Sequence, residues 1–324
     1  MPQPFDAVLL ISFGGPQGPD DVRPFLANVL RGRRVSPDRV EEVAHHYKLF
    51  GGVSPITALT LQQAEGLRGR LAQDGLPLRV YVGMRNWHPY LRDALRRMAE
   101  DGVRQAVGFI LAPHRSYSSC LQYRENVRDA QMELATEGIR APEVVYTGDW
   151  YAHAGFVETW ARHIEAARER LPTTLRDRAR VVFTAHSIPV SMADRYPYRE
   201  HLLESARMIA GRLNDEDWAL AYQSRSGRPE DPWLEPDIGD YLRAERARGL
   251  EAAVIAPIGF VSDHIEVLYD LDREAAEVCR AIGLPMARAE GPNADPVFID
   301  MMADVVRSTY ERYRDGRPLA IAIV

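Results

Sequence analysis

Two stretches of this sequence carry residues that could do chemistry. His186 ends the run ARVVFTAH, where an apolar strand pattern gives way to the turn SIP, and imidazole is the side chain that ordinarily titrates near neutral pH. After the run AAVIAPIGF, the segment SDHIEVLYDLDREAAEVCRAIG carries Asp263, Glu266, Asp270, Glu274 and Glu277 at spacings of 3, 4, 4 and 3. On a helix turning about 100° per residue these five acids span about 80°, one acidic stripe beside the apolar Val267, Leu271 and Val278. A lone turn histidine is more often a hydrogen-bonded structural residue, and an acidic stripe more often a solvated face, which Arg273 would partly offset. Against that, Asp263 and Glu266 fall at a strand-to-helix junction, where open α/β sheets bind their ligands. An imidazole and a row of carboxylates suit a hard or borderline divalent cation, Fe²⁺ among them. One donor of each kind leaves a coordination shell incomplete, which favours passage of the metal over permanent holding. His186 and Glu266 are expected to approach a cleft each from its own side.

The elements that must position these residues can be read from periodicity. Strand-like runs fall at 7–13, 78–84, 106–112, 179–186, 218–224 and 252–260, with helical patterns such as TLQQAEGLRGRLAQ, PYLRDALRRMAEDG and HLLESARMIAGRL between them. This alternation predicts an α/β protein whose mainly parallel sheet is covered by helices. The halves also look alike: RVYVGMRN, PYLRDALRRMAEDG and QAVGFILAPHRS are echoed by ALAYQSRS, PDIGDYLRAERARG and EAAVIAPIGFVSDH. Two similar Rossmann-like halves follow, 1–170 and 171–324, each a mainly parallel four-stranded sheet flanked by helices, with His186 and Glu266 in the second. The turns after the strands are where a ligand should lie.

Composition removes several classes of function. Of the 40 basic residues only Lys48 is a lysine, and its setting, HHYKLFGG, fits neither a phosphate-binding P-loop nor a Schiff-base lysine. A formal net charge of −6 argues against nucleic acid as a partner. No run approaches the ~18 apolar residues of a membrane span, and the opening MPQPFDAVLLISFGGP reads as a first strand ending in a turn. The chain is therefore expected in the cytoplasm without an integral membrane segment, as a monomer. Cys120 and Cys279 are the only cysteines, too few for a disulfide framework, a structural zinc site or an all-cysteine iron–sulfur cluster.

Several other strand-end turns are rich in Gly, Ser, Tyr, Arg and Trp. Phe13 in SFGGP and Tyr47 in YKLFGGVSPI could face a large flat aromatic ligand, and Arg31 could pair with its carboxylates. Taken in order, LLISFGGP, FGGVSPI, VGMRNWHPYL, SYSSCLQY, FTAHSIP, YQSRSG, PWLEPDI, PIGFVSDHIEVLYDLD and PNADPVFID resemble the ferrochelatase family from the first strand to about Arg307. The resemblance implies a chelatase-type fold of two Rossmann-like halves and insertion of Fe²⁺, as substrate, into a tetrapyrrole late in haem synthesis. It assigns the metal-site histidine and glutamate to His186 and Glu266, and porphyrin contacts to Ser54 and Tyr123; Asp270 and Glu274, further along the acidic stripe, could then serve as a relay that passes protons outward. The sequence looks most similar to the actinobacterial type, implying coproporphyrin III as substrate. Where some relatives have an iron-ligating tyrosine in the first turn this chain has Phe13, so no axial ligand is expected there, and no iron–sulfur cluster is expected. Protoporphyrin IX ferrochelatase, a Co²⁺ chelatase and a tetrapyrrole carrier without chemistry are the competing readings.

Overall fold

The computed structural model describes residues 3–32, 35–226 and 230–316. Arg33 and Arg34 of the basic stretch 30–39, Gly227 at the end of YQSRSG and the short apolar stretch 319–324 lie outside the described residues.

Among the described residues eight strands form two four-stranded sheets, all parallel. The first sheet holds β1 (Ala7–Ser12), β2 (Arg79–Met84), β3 (Gln105–Ile110) and β4 (Glu143–Tyr146) in the order β2-β1-β3-β4. The second holds β5 (Ala179–His186), β6 (Trp218–Gln223), β7 (Ala252–Ala256) and β8 (Met286–Arg288) in the order β6-β5-β7-β8. The two orders are the same, so the internal similarity of the sequence is a repeated topology. β4 and β8 are additional to the six runs read from periodicity. Both are outer strands, of four and three residues, too short to show a repeat of their own.

All six residues of β1 and all five of β7 are buried, as strands covered on both faces must be. On one face of the second sheet, Leu242 of the helix Ile238–Ala247 and Val267, Leu271 and Cys279 further on pack with Val182, Ala221, Ala253 and Ile255. This burial fixes which side of the segment after β7 turns inward and leaves its acids on the other.

The chain forms two compact units whose boundaries differ from a division at 170/171. Residues up to Leu111, Cys120–Trp150 and the final helix from Phe298 make one unit; Ala112–Ser119 and Tyr151–Val297 make the other. The helix Ala154–Arg168 packs along β7 and β8, which draws the boundary back to residue 150. In the first unit Trp150 stacks on Phe109 with ring centroids 5.4 Å apart and meets Phe298 of the last helix, Pro296–Arg314, at 6.1 Å. Among the described residues no helix is long and apolar enough to cross a membrane.

Candidate active site

In the order β6-β5-β7-β8 the chain leaves β5 toward one edge and returns to β7 on the other side, so the crossovers diverge between β5 and β7. Such a switch point is where an open parallel sheet leaves a crevice beyond its carboxyl ends. His186 is the last residue of β5, and Glu266 follows β7 at the second position of the short helix Ile265–Tyr269. The two belong to one unit and end or follow neighbouring strands of one sheet, so the expectation that each approaches a cleft from its own side is corrected. Adjacent parallel strands end side by side, and that register brings the residues together: His186 Nε2 lies 3.8 Å from Glu266 Oε2, both side chains about one-third exposed.

Each member of the pair is held by its backbone. His186 Nδ1–H donates to the Ser187 carbonyl at 2.5 Å, and the buried Tyr198 hydroxyl donates to the His186 carbonyl at 3.1 Å. With the proton on Nδ1, the Nε2 lone pair faces Glu266. The 3.8 Å gap is too wide for a hydrogen bond. It suits an ion shared through a bent pair of bonds of about 2.1 Å each. Glu266 is steadied by His264, whose Nδ1 accepts from the Glu266 backbone N–H at 3.2 Å and whose imidazole pKa is pushed down by burial. Among the described residues no group of three or more His, Cys, Asp or Glu is placed to hold a metal ion, so the pair itself supplies two donors.

The acidic stripe is not a straight one. Asp263 precedes the helix and accepts from Arg288 at 2.7 Å, so it is engaged in structure. From Asp270 to Ala275 the helix widens to a π-turn, a geometry associated with functional sites. Asp270 accepts from the Ser224 hydroxyl and from Gln223 Nε2, the latter at 3.4 Å, and Gln223 Oε1 in turn accepts from Thr184 Oγ1 at 2.8 Å. Ser224 sits at φ 60°, a left-handed conformation uncommon for serine. A cavity of about 510 Å³ opens on Asp270, Glu274 and Glu277, with Ser224, Asp237 and Arg243 on other walls. Gln223, Ser224 and Tyr198 are site residues that periodicity does not reveal, although a Gln closing the apolar run WALAYQ is a visible signal, and in the structure it is buried.

Burial pushes the Asp270 carboxyl up to about 7, helped by the charges of Glu266 and Glu274 and opposed by its hydrogen bonds to Ser224 and Gln223. A folded-state pKa above the unfolded value means that the folded chain holds this proton from about pH 4 to about pH 7 where the unfolded chain has released it. The contribution to stability is complete below about pH 4 and is lost as pH rises through that window, a change on the order of 4 kcal/mol. Without added metal, Asp270→Asn is therefore expected to gain stability over the native protein between about pH 5 and about pH 8. Urea midpoints measured across that range check it, and parallel profiles for the two proteins would refute it.

The other candidate residues lie in the first unit, around the carboxyl ends of β1 and β2. Phe13 follows β1 and meets Phe25 edge-on at 6.2 Å, and Phe25 meets Tyr47 at 5.6 Å. Ser54 is buried against Gly15, where an added Cβ would come within 2.6 Å of the Ser54 Cβ, and its N–H donates to the Pro16 carbonyl at 2.8 Å. Asn86 N–H donates to Phe13 O, Asn28 Nδ2 donates to Asn86 O at 3.1 Å, and the exposed Arg31 donates to Asn28 Oδ1 at 2.7 Å. Tyr123 lies beneath the Arg85 guanidinium, 5.8 Å from ring centroid to cation, while Arg85 N–H donates to Ser12 O at 3.0 Å. All five thus gather at one end of the first sheet, Tyr47, Ser54 and Tyr123 mostly buried, Phe13 half-buried and Arg31 exposed. Cys279 is buried in the second unit's apolar cluster and Cys120 is half-buried, both free.

Two repeated parallel α/β units, one of them carrying an imidazole–carboxylate pair at its switch point, define a chelatase-like protein able to meet a divalent cation. A Streptomyces coelicolor protein named coproporphyrin III ferrochelatase is 46% identical over 98% of this chain and 89% of its own length. A Mycobacterium protein of the same name is 44% identical over 98% of this chain and 91% of its own, and a Rhodopirellula baltica ferrochelatase is 47% identical over 94% and 86%. The sirohydrochlorin chelatase SirB of Bacillus subtilis, solved in complex with cobalt, matches with a TM-score of 0.55 over 95% of this chain and 97% of its own, at 11% identity. A second SirB structure, with Fe³⁺, gives 0.58 at 10% identity over 96% and 98%. At that identity the likeness is one of fold. The ferrochelatase family model matches residues 5–310, and the chain belongs to the ferrochelatase family, enzymes that insert iron into porphyrins in haem biosynthesis.

Proposed function

We propose that this chain is a coproporphyrin III ferrochelatase, inserting Fe²⁺ into coproporphyrin III with release of two protons to give Fe-coproporphyrin III. The observation that carries the chemistry is the His186–Glu266 pair at 3.8 Å, with the imidazole proton committed to Ser187. The choice of porphyrin is supported by Streptomyces and Mycobacterium relatives of that name, 44 to 46% identical over nearly the whole chain.

A flat porphyrin hides its pyrrole N–H groups in the ring plane, so the macrocycle must bend before metal can enter. Binding energy from the propionates can offset a distortion of about 1–5 kcal/mol. His186 Nε2 accepts a pyrrole proton, and the resulting imidazolium keeps its Nδ1–H bond to Ser187 while facing the Glu266 carboxylate. Glu266 meets the incoming ion or hands the proton on to Asp270, which can hold and release it near neutral pH, and Glu274 continues the line along the cavity wall. For the porphyrin, Phe13 would offer an aromatic face without a ligating atom, Arg31 a guanidinium for a propionate, and Ser54 and Tyr123, backed by Tyr47, further contacts. We further propose that the enzyme acts in the cytoplasm as a monomer, with Fe²⁺ as substrate and no iron–sulfur cluster.

Anaerobic incubation with Fe²⁺ and coproporphyrin III, followed by absorption spectroscopy, is expected to show metalation, and faster than with protoporphyrin IX. Tetrapyrrole binding without metalation would make the protein a carrier; a preference for protoporphyrin IX, or for Co²⁺ over Fe²⁺, would overturn the substrate assignment.

A further inference from the structure

We propose that Arg288 is a positioning residue for the reaction, a clamp that fixes the segment carrying Glu266 and Asp270. The proposal rests on reading His186 and Glu266 as the reacting pair. Arg288 is the last residue of the three-residue β8 and is paired in register with Ile255 of β7. Its side chain is only 12% exposed, and it faces two carboxylates at once. Nη1 donates to Asp263 Oδ1 at 2.7 Å and to its neighbour's carbonyl at Ala289 at 3.1 Å; Nε donates to Asp272 Oδ1 at 2.6 Å. In sequence these partners are 25 and 16 residues away, so the bonds are contacts of the fold and not of one helix face.

The two acids bracket the reactive segment. Asp263 stands three residues before Glu266, and Asp272 stands two residues after Asp270, inside the π-turn. Asp263 is saturated by other partners as well: Oδ1 accepts from Gly291 N–H at 3.1 Å, Oδ2 from Asn293 Nδ2 at 2.9 Å, and its own N–H donates to Asn293 Oδ1 at 3.0 Å. The start of the segment is thereby tied to the loop after β8, and the guanidinium ties the wide turn to that same anchor. A planar fork can hold two carboxylates at a set angle and separation, whereas an ammonium is a point charge without that geometry. With both ends fixed, Glu266 and Asp270 have little freedom to slide along the helix axis, and the helix must take up its extra length as the wide turn. Groups that hold ligands from behind commonly change metal affinity or activity by about 10- to 100-fold when removed.

Asp272→Asn, at a partly exposed carboxylate, and Arg288→Lys, which keeps the charge but loses the fork, test the clamp. The probes are Co²⁺ alone, followed by its absorption bands and titrated for affinity, and steady-state metalation with separate KM values for metal and porphyrin. Either variant is expected to weaken Co²⁺ binding and lower kcat by about 10-fold or more, with altered Co²⁺ bands and an unchanged porphyrin KM. The double variant is expected to be no worse than the more affected single one, because both remove one bond. Native Co²⁺ affinity and kcat in Asp272→Asn, or losses that multiply in the double variant, would overturn the clamp. Glu266→Gln separates the two readings. If it leaves Co²⁺ binding at the native level, the reacting pair itself is wrong, whatever Arg288 does.

Discussion

His186→Ala is expected to lower kcat for iron insertion by about 10²- to 10⁴-fold while porphyrin affinity stays within about two-fold of native. The loss follows from geometry. Nε2 is the face of the ring left open once Nδ1–H is committed to the Ser187 carbonyl at 2.5 Å, and Tyr198 holds the backbone that carries it. No other imidazole of the second sheet is equivalent: His264 is spent on capping Glu266, and burial disfavours its charged form. Fluorescence quenching gives porphyrin affinity, and stopped-flow absorption the metalation rate at saturating and at limiting Fe²⁺. Should the variant turn over at the native rate once iron is saturating, the imidazole is a metal ligand alone and the general-base role is wrong.

A second large effect should come from a single methyl group. Gly259 lies in the turn after β7 with its N–H donating to the Thr184 carbonyl of β5 at 3.1 Å, and an added Cβ would stand 2.6 Å from Ala185 Cβ and 2.8 Å from Ala185 Cα. One of those atoms is backbone and the other is fixed to it, so no flexible side chain can give way. Gly259→Ala must therefore push the turn away from β5 beside His186, destabilising the fold by about 1–3 kcal/mol. A displacement on the order of 1 Å at a reacting pair can cost about 10²-fold in rate, and kcat is expected to fall by that order in enzyme that remains folded. Chemical denaturation and metalation kinetics check the two halves of the prediction; native kcat with lowered stability would show that the turn does not govern the pair.

The parts of the molecule that the sequence makes legible are those with local signals. Apolar runs such as AVLLIS and AAVIA announce the inner strands, and the alternation with helices announces two parallel sheets. β8, by contrast, is three residues long and is defined by its neighbour β7, so no pattern within it marks the strand. His186 is visible because a polar ring ends an apolar run. The acidic series is visible too, but a projection at a constant angle per residue cannot register the π-turn from Asp270 to Ala275 or the diversion of Asp263 to Arg288. Those depend on pairings between distant residues, as does the chain of hydrogen bonds from Thr184 through Gln223 to Asp270. The boundary between units is obscured for the same reason: the helix Ala154–Arg168 is assigned by the strands it covers, not by its own composition.

The final helix also bears on how the protein is made. Phe298 closes on Trp150, and Tyr310 and Tyr313 close on Phe5, so the first sheet lacks part of its hydrophobic cover until the helix Pro296–Arg314 has left the ribosome. Residues 151–297, together with 112–119, are all synthesised before that helix. That order of synthesis would invert the usual one, in which the N-terminal part matures first during translation. The later-synthesised sheet, with its reactive pair, can reach its native form while the earlier one still awaits its lid, and nascent chains stalled short of Phe298 should expose the first sheet to proteases and chaperones.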